Sequence, residues 1–190
     1  HAVAGVIRLI TTDRRLGAMT SVSIADVEAT GIFGTPRIID FDRRQLLSLD
    51  ACVSCGRCED ECPAHAAGKP LSPMAVVQDL NRHLHTTRDL EARLSDSVIA
   101  PETAWACTTC SACTEVCPLG VDPLDLILGL RRDLVGGGRL RGTPAAALQK
   151  LQRSGNPWGL PPEERFDWAE GLEVPTVEDN PEFELLYWVG

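Results

Sequence analysis

The sequence predicts an all-α fold organised around two cysteine-rich loops, and three observations carry that prediction. The runs Cys52-Val-Ser-Cys55-Gly-Arg-Cys58-Glu-Asp-Glu-Cys62-Pro63 and Cys107-Thr-Thr-Cys110-Ser-Ala-Cys113-Thr-Glu-Val-Cys117-Pro118 share the spacing C-x2-C-x2-C-x3-C-P and use all 8 cysteines of the chain. The segment between them, 64–106, carries helical rather than strand periodicity. Aromatic residues make up only 5% of the chain and apolar residues 44%, a supply that suits a fold fastened by metal–thiolate bonds rather than by a large core.

The spacing dictates the chemistry. Cysteines two residues apart, on a tight loop turning into a short helix, present three thiolates to one iron–sulfur cube, and the fourth reaches across to the other cube. Cluster I is therefore expected on Cys52, Cys55, Cys58 and Cys117, and cluster II on Cys107, Cys110, Cys113 and Cys62, both as [4Fe–4S]. The proline after each run is expected to stop the short helix and redirect the chain. Disulfides need an oxidising compartment, and near neighbours on a helical turn pair poorly. Zinc prefers two separate pairs around one tetrahedral ion, not four cysteines in one run.

The elements follow in chain order. Residues 1–36 are the least readable: 6–12 suits a strand or the tail of a helix, and Gly17, Gly31, Gly34 and Pro36 give the region a loop-like character. Asp42 followed by Gln45 is a capping-box pattern opening a helix over 43–50 that delivers the chain to Cys52. Ser72-Pro73 opens a longer helix, Ser as cap and Pro in the first turn. Its apolar face is Pro73, Val76, Val77, Leu80 and Leu84; Thr86-Thr87 breaks it, and a shorter helix runs on to about Leu94. Asp122-Pro123 repeats the signal before an apolar face of Leu124, Ile127, Leu128, Leu130, Leu134 and Val135, ended by Gly136-Gly137-Gly138. Thr143-Pro144 opens another helix, closed by Gly155, and Asn156-Pro157-Trp158-Gly159 is a turn. An irregular acidic arm with one short helix near 163–170 follows. Leu185–Gly190 reads as a buried strand. The two cysteine runs thus form an internal repeat: loop, short helix, proline, capped helix.

Charge bounds the partners. The chain has 18 basic and 27 acidic residues, net −9, and thiolate-bound clusters add negative charge, so nucleic acid is not an expected partner. The basic residues Arg131, Arg132, Arg139, Arg141, Lys150 and Arg153 form a block that either lies on a solvated surface or steers an acidic redox partner. No segment reaches the ~18 apolar residues of a membrane span: the run 2–10 is short and broken by Arg8. Asp13-Arg14-Arg15 would suit a cytosolic exit from a membrane segment. The opening His1 and the apolar close at Gly190 lead to the expectation that the chain is a piece of a longer protein.

Other polar and aromatic residues have blander roles to set beside the functional ones. His65, near cluster II, is expected at the surface or around the cluster rather than ligating it. His83 and His85 are two apart on a helix and point to different faces, so they cannot share a metal. Arg57, inside the first run, either raises a cluster potential through charge and hydrogen bonding or is a plain surface arginine. Trp105 and Trp158 are expected to shield clusters or pack helices. No phosphate loop, G-x-G-x-x-G or Ser-His-Asp set appears, so no catalytic residue is expected.

The paired runs on helices resemble the iron–sulfur domains of heterodisulfide reductase C and D subunits and of glycolate oxidase. Trp105-Ala-Cys107-Thr-Thr-Cys110, Val121-Asp122-Pro123 and Gly155-Asn156-Pro157-Trp158-Gly159 resemble the membrane-bound branch that passes electrons from electron-transfer flavoprotein to menaquinone. The resemblance implies an α-helical ferredoxin with irregular terminal segments. It implies residues 1–40 as a linker after a membrane domain carrying haem b, 41–155 as the ferredoxin domain, and 156–190 as an acidic arm leading into a cysteine-rich domain with a further cluster. It implies an electron relay, part of an oxidoreductase, on the cytoplasmic face of the membrane, between a flavoprotein or cysteine-rich site and a haem/quinone site. A soluble subunit of a heterodisulfide-reductase or glycolate-oxidase type complex is the other reading.

Overall fold

The computed structural model describes residues 2–11 and 19–188. Asp13-Arg14-Arg15, Gly17, His1 and the last two residues of the expected terminal strand lie outside the described residues. Among the described residues every regular element is helical, as the sequence predicts.

The chain divides by its contacts after Arg139. The first unit opens with α1 (Ala2–Thr11), which replaces the strand-or-helix ambiguity of the sequence with a helix. A short α2 (Ile24–Thr30) is capped by Ser23, whose hydroxyl accepts from Asp26 N–H, and is closed by left-handed Gly31. α3 (Arg43–Ala51) has the expected box: Asp42 accepts from Gln45 N–H at 2.7 Å and the Gln45 side chain accepts from Asp42 N–H at 3.1 Å. α3 ends on Cys52. The first loop then turns into α4 (Arg57–Asp60), and Pro63 opens a fresh turn, α5 (Pro63–Ala66), where the proline was expected only to stop one. Ser72 caps α6 (Pro73–Thr86), accepting from Ala75 N–H at 3.0 Å.

The segment after α6 differs from expectation. Residues 87–93 are turns, and the next helix, α7 (Leu94–Ser97), begins at Leu94 instead of ending there. The reason is tertiary: Leu94 N–H donates to Pro36 O at 2.9 Å and its side chain is fully buried. α8 (Pro101–Ala106) then delivers Cys107, as α3 delivers Cys52. The second loop turns into α9 (Ala112–Glu115), and Asp122 caps α10 (Pro123–Gly136), accepting from Asp125 N–H at 3.1 Å.

The core lies between α3, α6 and α10, on Leu49, Val76, Val77, Leu80, Leu126, Ile127, Leu130 and Leu134. Leu126 joins the buried face of α10, whereas Val135 is 37% exposed. Gly129 lets the loop before α3 sit on α10: a Cβ there would lie 2.0 Å from Thr35 Oγ1, while Thr35 N–H donates to Gly129 O at 3.1 Å. Buried Asp133 pairs with Arg93 at 3.1 Å and with Arg139, and accepts from Ser95 Oγ at 3.2 Å, tying α7 to α10.

The second unit holds α11 (Thr143–Ser154), closed by left-handed Gly155 as expected. The Asn156 side chain makes the expected turn, accepting from Gly159 N–H at 2.7 Å and Leu160 N–H at 3.0 Å. A 3₁₀ segment spans Pro162–Ala169. Leu185, Leu186, Tyr187 and Trp188 are irregular and exposed. The expected buried strand is not formed at these four positions, because a strand needs a ladder partner and no strand lies among the described residues. α1 packs along α3 within the first unit.

Candidate iron–sulfur site

Each cysteine loop is made by left-handed backbone. Among the described residues, those with positive φ that are not glycine are Ser54, Thr109 and Ser111, and all three lie inside the cysteine runs. Ser54 and Thr109 hold equivalent positions, and so do Gly56 (φ 83°) and Ser111 (φ 67°), the residues that cap α4 and α9. Such backbone costs an ordinary side chain roughly 1–2 kcal/mol and collects at functional sites. Here it curls the chain so that amides form a concave nest of the kind that receives anions and iron–sulfur groups. Thr109 N–H donates to Cys107 Sγ at 3.4 Å, an amide already aimed at a sulfur.

None of the eight cysteines, all among the described residues, is in a disulfide. In the first loop Cys52 and Cys58 are half-buried and Cys55 is exposed; in the second, Cys107 is half-buried, Cys110 exposed and Cys113 buried. Cys62 is buried in the core and Cys117 half-buried. Both middle cysteines therefore face the surface. Packing of α4 against α9, and of each against its own long helix, brings the runs together. A recess, partly open to solvent, is lined by Cys52, Cys55, Cys58 and Cys117, with Cys113 on its wall. Met74, Val77, Leu119 and Val121 supply an apolar lining. Arg57, exposed, stands at the same recess.

Burial, with Cys52, Cys117 and Cys55 close by, pushes the Cys58 thiol up to about 11. Burial also pushes Cys113 up to about 12, against a hydrogen bond to Thr114 and with Cys107 nearby. Thiols so placed release their protons to a metal, not to water. Among the described residues, no three His, Cys, Asp or Glu side chains stand close enough to share a single ion. A cube asks for a different arrangement, with four thiolates distributed over four irons. Cysteine side chains around an apolar recess, on loops of left-handed backbone, fit that group.

Several supporting residues are not evident from the sequence. Arg8 of α1 is buried and donates to Gly120 O (Nε, 2.9 Å) and Arg44 O (Nη1, 3.1 Å). The lone charge in an apolar run was the available signal. Arg131 donates to Ala104 O at 2.8 Å, Trp105 O at 3.1 Å and Cys107 O, with its guanidinium 5.1 Å from the Trp105 ring centre. Thr114 Oγ1 donates to Asp122 at 2.7 Å, and Ser72 Oγ donates to Glu59 at 2.7 Å.

The basic block is divided between the two units. Arg131 is held as described, Arg132 donates to Thr20 O at 2.9 Å, and Arg139 pairs with Asp96 and Asp133. Arg141, Lys150 and Arg153 belong to the other unit. His65, exposed, contacts Leu71 O at 3.0 Å and Glu59 at 3.2 Å, and His85 contacts Asp50 at 2.7 Å. Trp105 packs on Arg131, whereas Trp158 is 70% exposed.

Fold and loops together define a helical dicluster ferredoxin domain. Residues 48–121 match the 4Fe-4S dicluster domain family. The chain is 34% identical over 224 residues to a probable membrane-anchored ferredoxin of Chromohalobacter salexigens, across 100% of this chain and 33% of that protein. It is 30% identical over 214 residues to the EtfAB:quinone oxidoreductase of Syntrophomonas wolfei, across 94% of this chain and 30% of that protein. It is 29% identical over 158 residues to the D-type subunit of the dihydromethanophenazine:CoB--CoM heterodisulfide reductase of Methanosarcina barkeri, across 77% of this chain and 38% of that protein. The chain is an iron–sulfur electron-transfer domain similar to those of the heterodisulfide-reductase-like iron–sulfur oxidoreductases. It spans about a third of the length of these relatives. Among the described residues, no helix is long and apolar enough to cross a membrane.

Proposed function

We propose that the chain relays single electrons through two [4Fe–4S] clusters, between an electron-transfer flavoprotein or cysteine-rich site and a haem b/quinone site in a membrane. In this reading Cys52, Cys55, Cys58 and Cys117 hold cluster I, and Cys107, Cys110, Cys113 and Cys62 hold cluster II. The observation that carries it is the recess at which Cys117, from the second run, stands beside the three close cysteines of the first. When bound, the clusters supply the one-electron chemistry. The chain's own residues orient the thiolates, donate amide hydrogen bonds to sulfur and line the site with apolar side chains, three levers on a cluster's potential.

The partners rest on likeness. One relative is an EtfAB:quinone oxidoreductase and another a probable membrane-anchored ferredoxin, which supports a redox partner and a place at a membrane; in this reading the partner is a flavoprotein and the chain lies on the cytoplasmic face. Residues 1–40 then act as the link from a membrane domain, and 156–190 as the arm towards a cysteine-rich domain with a further cluster. The 190-residue chain alone is expected to be reducible by dithionite or a low-potential flavoprotein, without heterodisulfide, glycolate or quinone turnover. Steady turnover would overturn the relay reading.

The ligand assignment has its own test. Anaerobically prepared protein should carry about eight iron and eight sulfide, as two cubes require. Cys62→Ser should alter the cluster on Cys107, Cys110 and Cys113 in electron paramagnetic resonance (EPR) spectra. Zinc without sulfide, or damage confined to the cluster on Cys52, Cys55 and Cys58, would refute it.

A further inference from the structure

We propose that Arg8 is a positioning residue for cluster I, holding the turn that carries Cys117 and setting the reduction potential through a desolvated positive charge beside it. The inference rests on the reading above that Cys117 completes cluster I.

The geometry begins with α1. The turn after the second run closes with Gly120 N–H donating to Cys117 O at 3.2 Å. Two atoms of the Arg8 guanidinium donate to the carbonyl of that same Gly120, and a third donates to Arg44 O on α3. Gly5, one turn earlier on α1, lies against Leu119: a Cβ there would be 3.1 Å from Leu119 Cδ2. Leu119 in turn lines the recess with Cys52, Cys55, Cys58 and Cys117. α1 therefore clamps the Cys117 turn onto α3, the helix that delivers Cys52.

The charge is the second argument. Arg8 is 5% exposed, and among the described residues its hydrogen bonds go to carbonyls, with no carboxylate in an ion pair. A buried cation needs anionic compensation, and a buried ion left unpaired costs several kcal/mol. Burial and the neighbouring Arg44 pull the Arg8 guanidinium below its ordinary value, against the opposing pull of Asp122, Cys117 and Asp42. A cube bound by four thiolates is a net anion and adds to this counter-charge at Cys117. When the cube accepts one electron it gains one unit of negative charge, with no bond made or broken. A fixed positive charge nearby stabilises the reduced state more than the oxidised one and raises the potential, through the net charge around the cluster. The weak screening of a buried site strengthens the effect.

The experiment follows both clusters of the anaerobically prepared chain by EPR-monitored redox titration in mediators poised with dithionite. The step belonging to cluster I is the one whose spectrum Cys55→Ser changes. Arg8→Gln should lower that step, by several times any change in the cluster II step. Arg8→Lys, which keeps the charge but loses the fork on Gly120, should hold the cluster I potential near its original value while altering its spectrum. If Arg8→Gln loses its iron, the Lys variant decides alone. A cluster I potential lowered in Arg8→Lys as far as charge removal would take it, unmoved potentials in Arg8→Gln, or equal shifts of both steps would overturn the proposal. Failure of the unsubstituted chain to hold about eight iron would instead overturn the two-cluster reading beneath it.

Discussion

The two halves of the cluster domain make the same connection with exchanged chemistry. In the first, a carboxylate on the short helix, Glu59, accepts from the hydroxyl of the cap residue Ser72 at 2.7 Å. In the second, the short helix carries the hydroxyl, Thr114, and the cap residue Asp122 carries the carboxylate, again at 2.7 Å. Both bonds tie the helix after a cysteine loop to the N-terminus of a 14-residue helix. The difference teaches that the repeat keeps a hydrogen bond and its place, while either partner can supply the proton. The halves also differ in their arginines. Arg8 reaches the Cys117 turn from outside the repeat, whereas Arg131 comes from α10 and grips the residues leading into Cys107.

The sharpest way to break the comparison is at Arg131. Its guanidinium satisfies three carbonyls at the end of α8, and hydrogen bonds to a charged group contribute about 1.5–3 kcal/mol each. Arg131→Gln should cost about 2–3 kcal/mol in urea titration and change the emission of Trp105, which lies under the guanidinium. An unchanged midpoint would reduce Arg131 to a surface residue. Burial pulls the Arg131 guanidinium below its ordinary value while Cys107 pulls it back.

The exchanged bond can be exchanged again. Ser72→Asp sets a carboxylate against Glu59, and Glu59→Thr removes the acceptor of Ser72. The double variant rebuilds in the first half the pair that the second half uses. A double-mutant cycle on urea midpoints should give a favourable coupling of about 1–2 kcal/mol. Strict additivity would mean that the two connections only look alike.

A smaller effect separates Gly56 from Ser111. Nothing lies within 4 Å of a Cβ added at Gly56, so its backbone angle alone opposes a side chain. Gly56→Ser should cost about 1 kcal/mol, and Ser111→Gly should recover part of that in the other loop. A Gly56→Ser variant as stable as the parent would show that the first nest is not left-handed in solution.

A last contrast is in pH. The Cys58 thiol, ordinarily near 9.0, is raised to about 11 in the fold, so between those values the unfolded chain ionises while the folded chain keeps its proton. The metal-free chain therefore holds this stability below pH 9.0 and loses it as pH rises towards about 11. For Cys113 the loss continues to about 12. Urea midpoints of Cys58→Ser and Cys113→Ser should flatten over their respective windows. Stability rising with alkaline pH would contradict both burials.

Legibility followed the range of the interactions. Asp42 with Gln45, Ser72-Pro73, Asp122-Pro123 and the glycine closing α11 are contacts of three or four residues, and the sequence displays them whole. The eight cysteines are legible because spacing is itself the signal. Arg8 reads as an interruption because its meaning lies 112 residues away, at Gly120. The partners of Arg131, Arg132 and Arg139 were hidden for a related reason: charge along a chain says nothing about which carbonyl or carboxylate waits for it in space. The segment ending at Trp188 failed on composition, since apolar residues can be exposed as well as buried.

That same separation of 112 residues has a consequence in time. A chain made at ~5–20 residues per second presents α1 roughly 5–20 seconds before Gly120 has been synthesised. During that interval the clamp is already present but has no Cys117 turn to seat. Under the proposed ligand set, the nascent domain is an open-ended thiol loop, and whatever delivers iron and sulfide has no complete first receptacle until the second loop has been made.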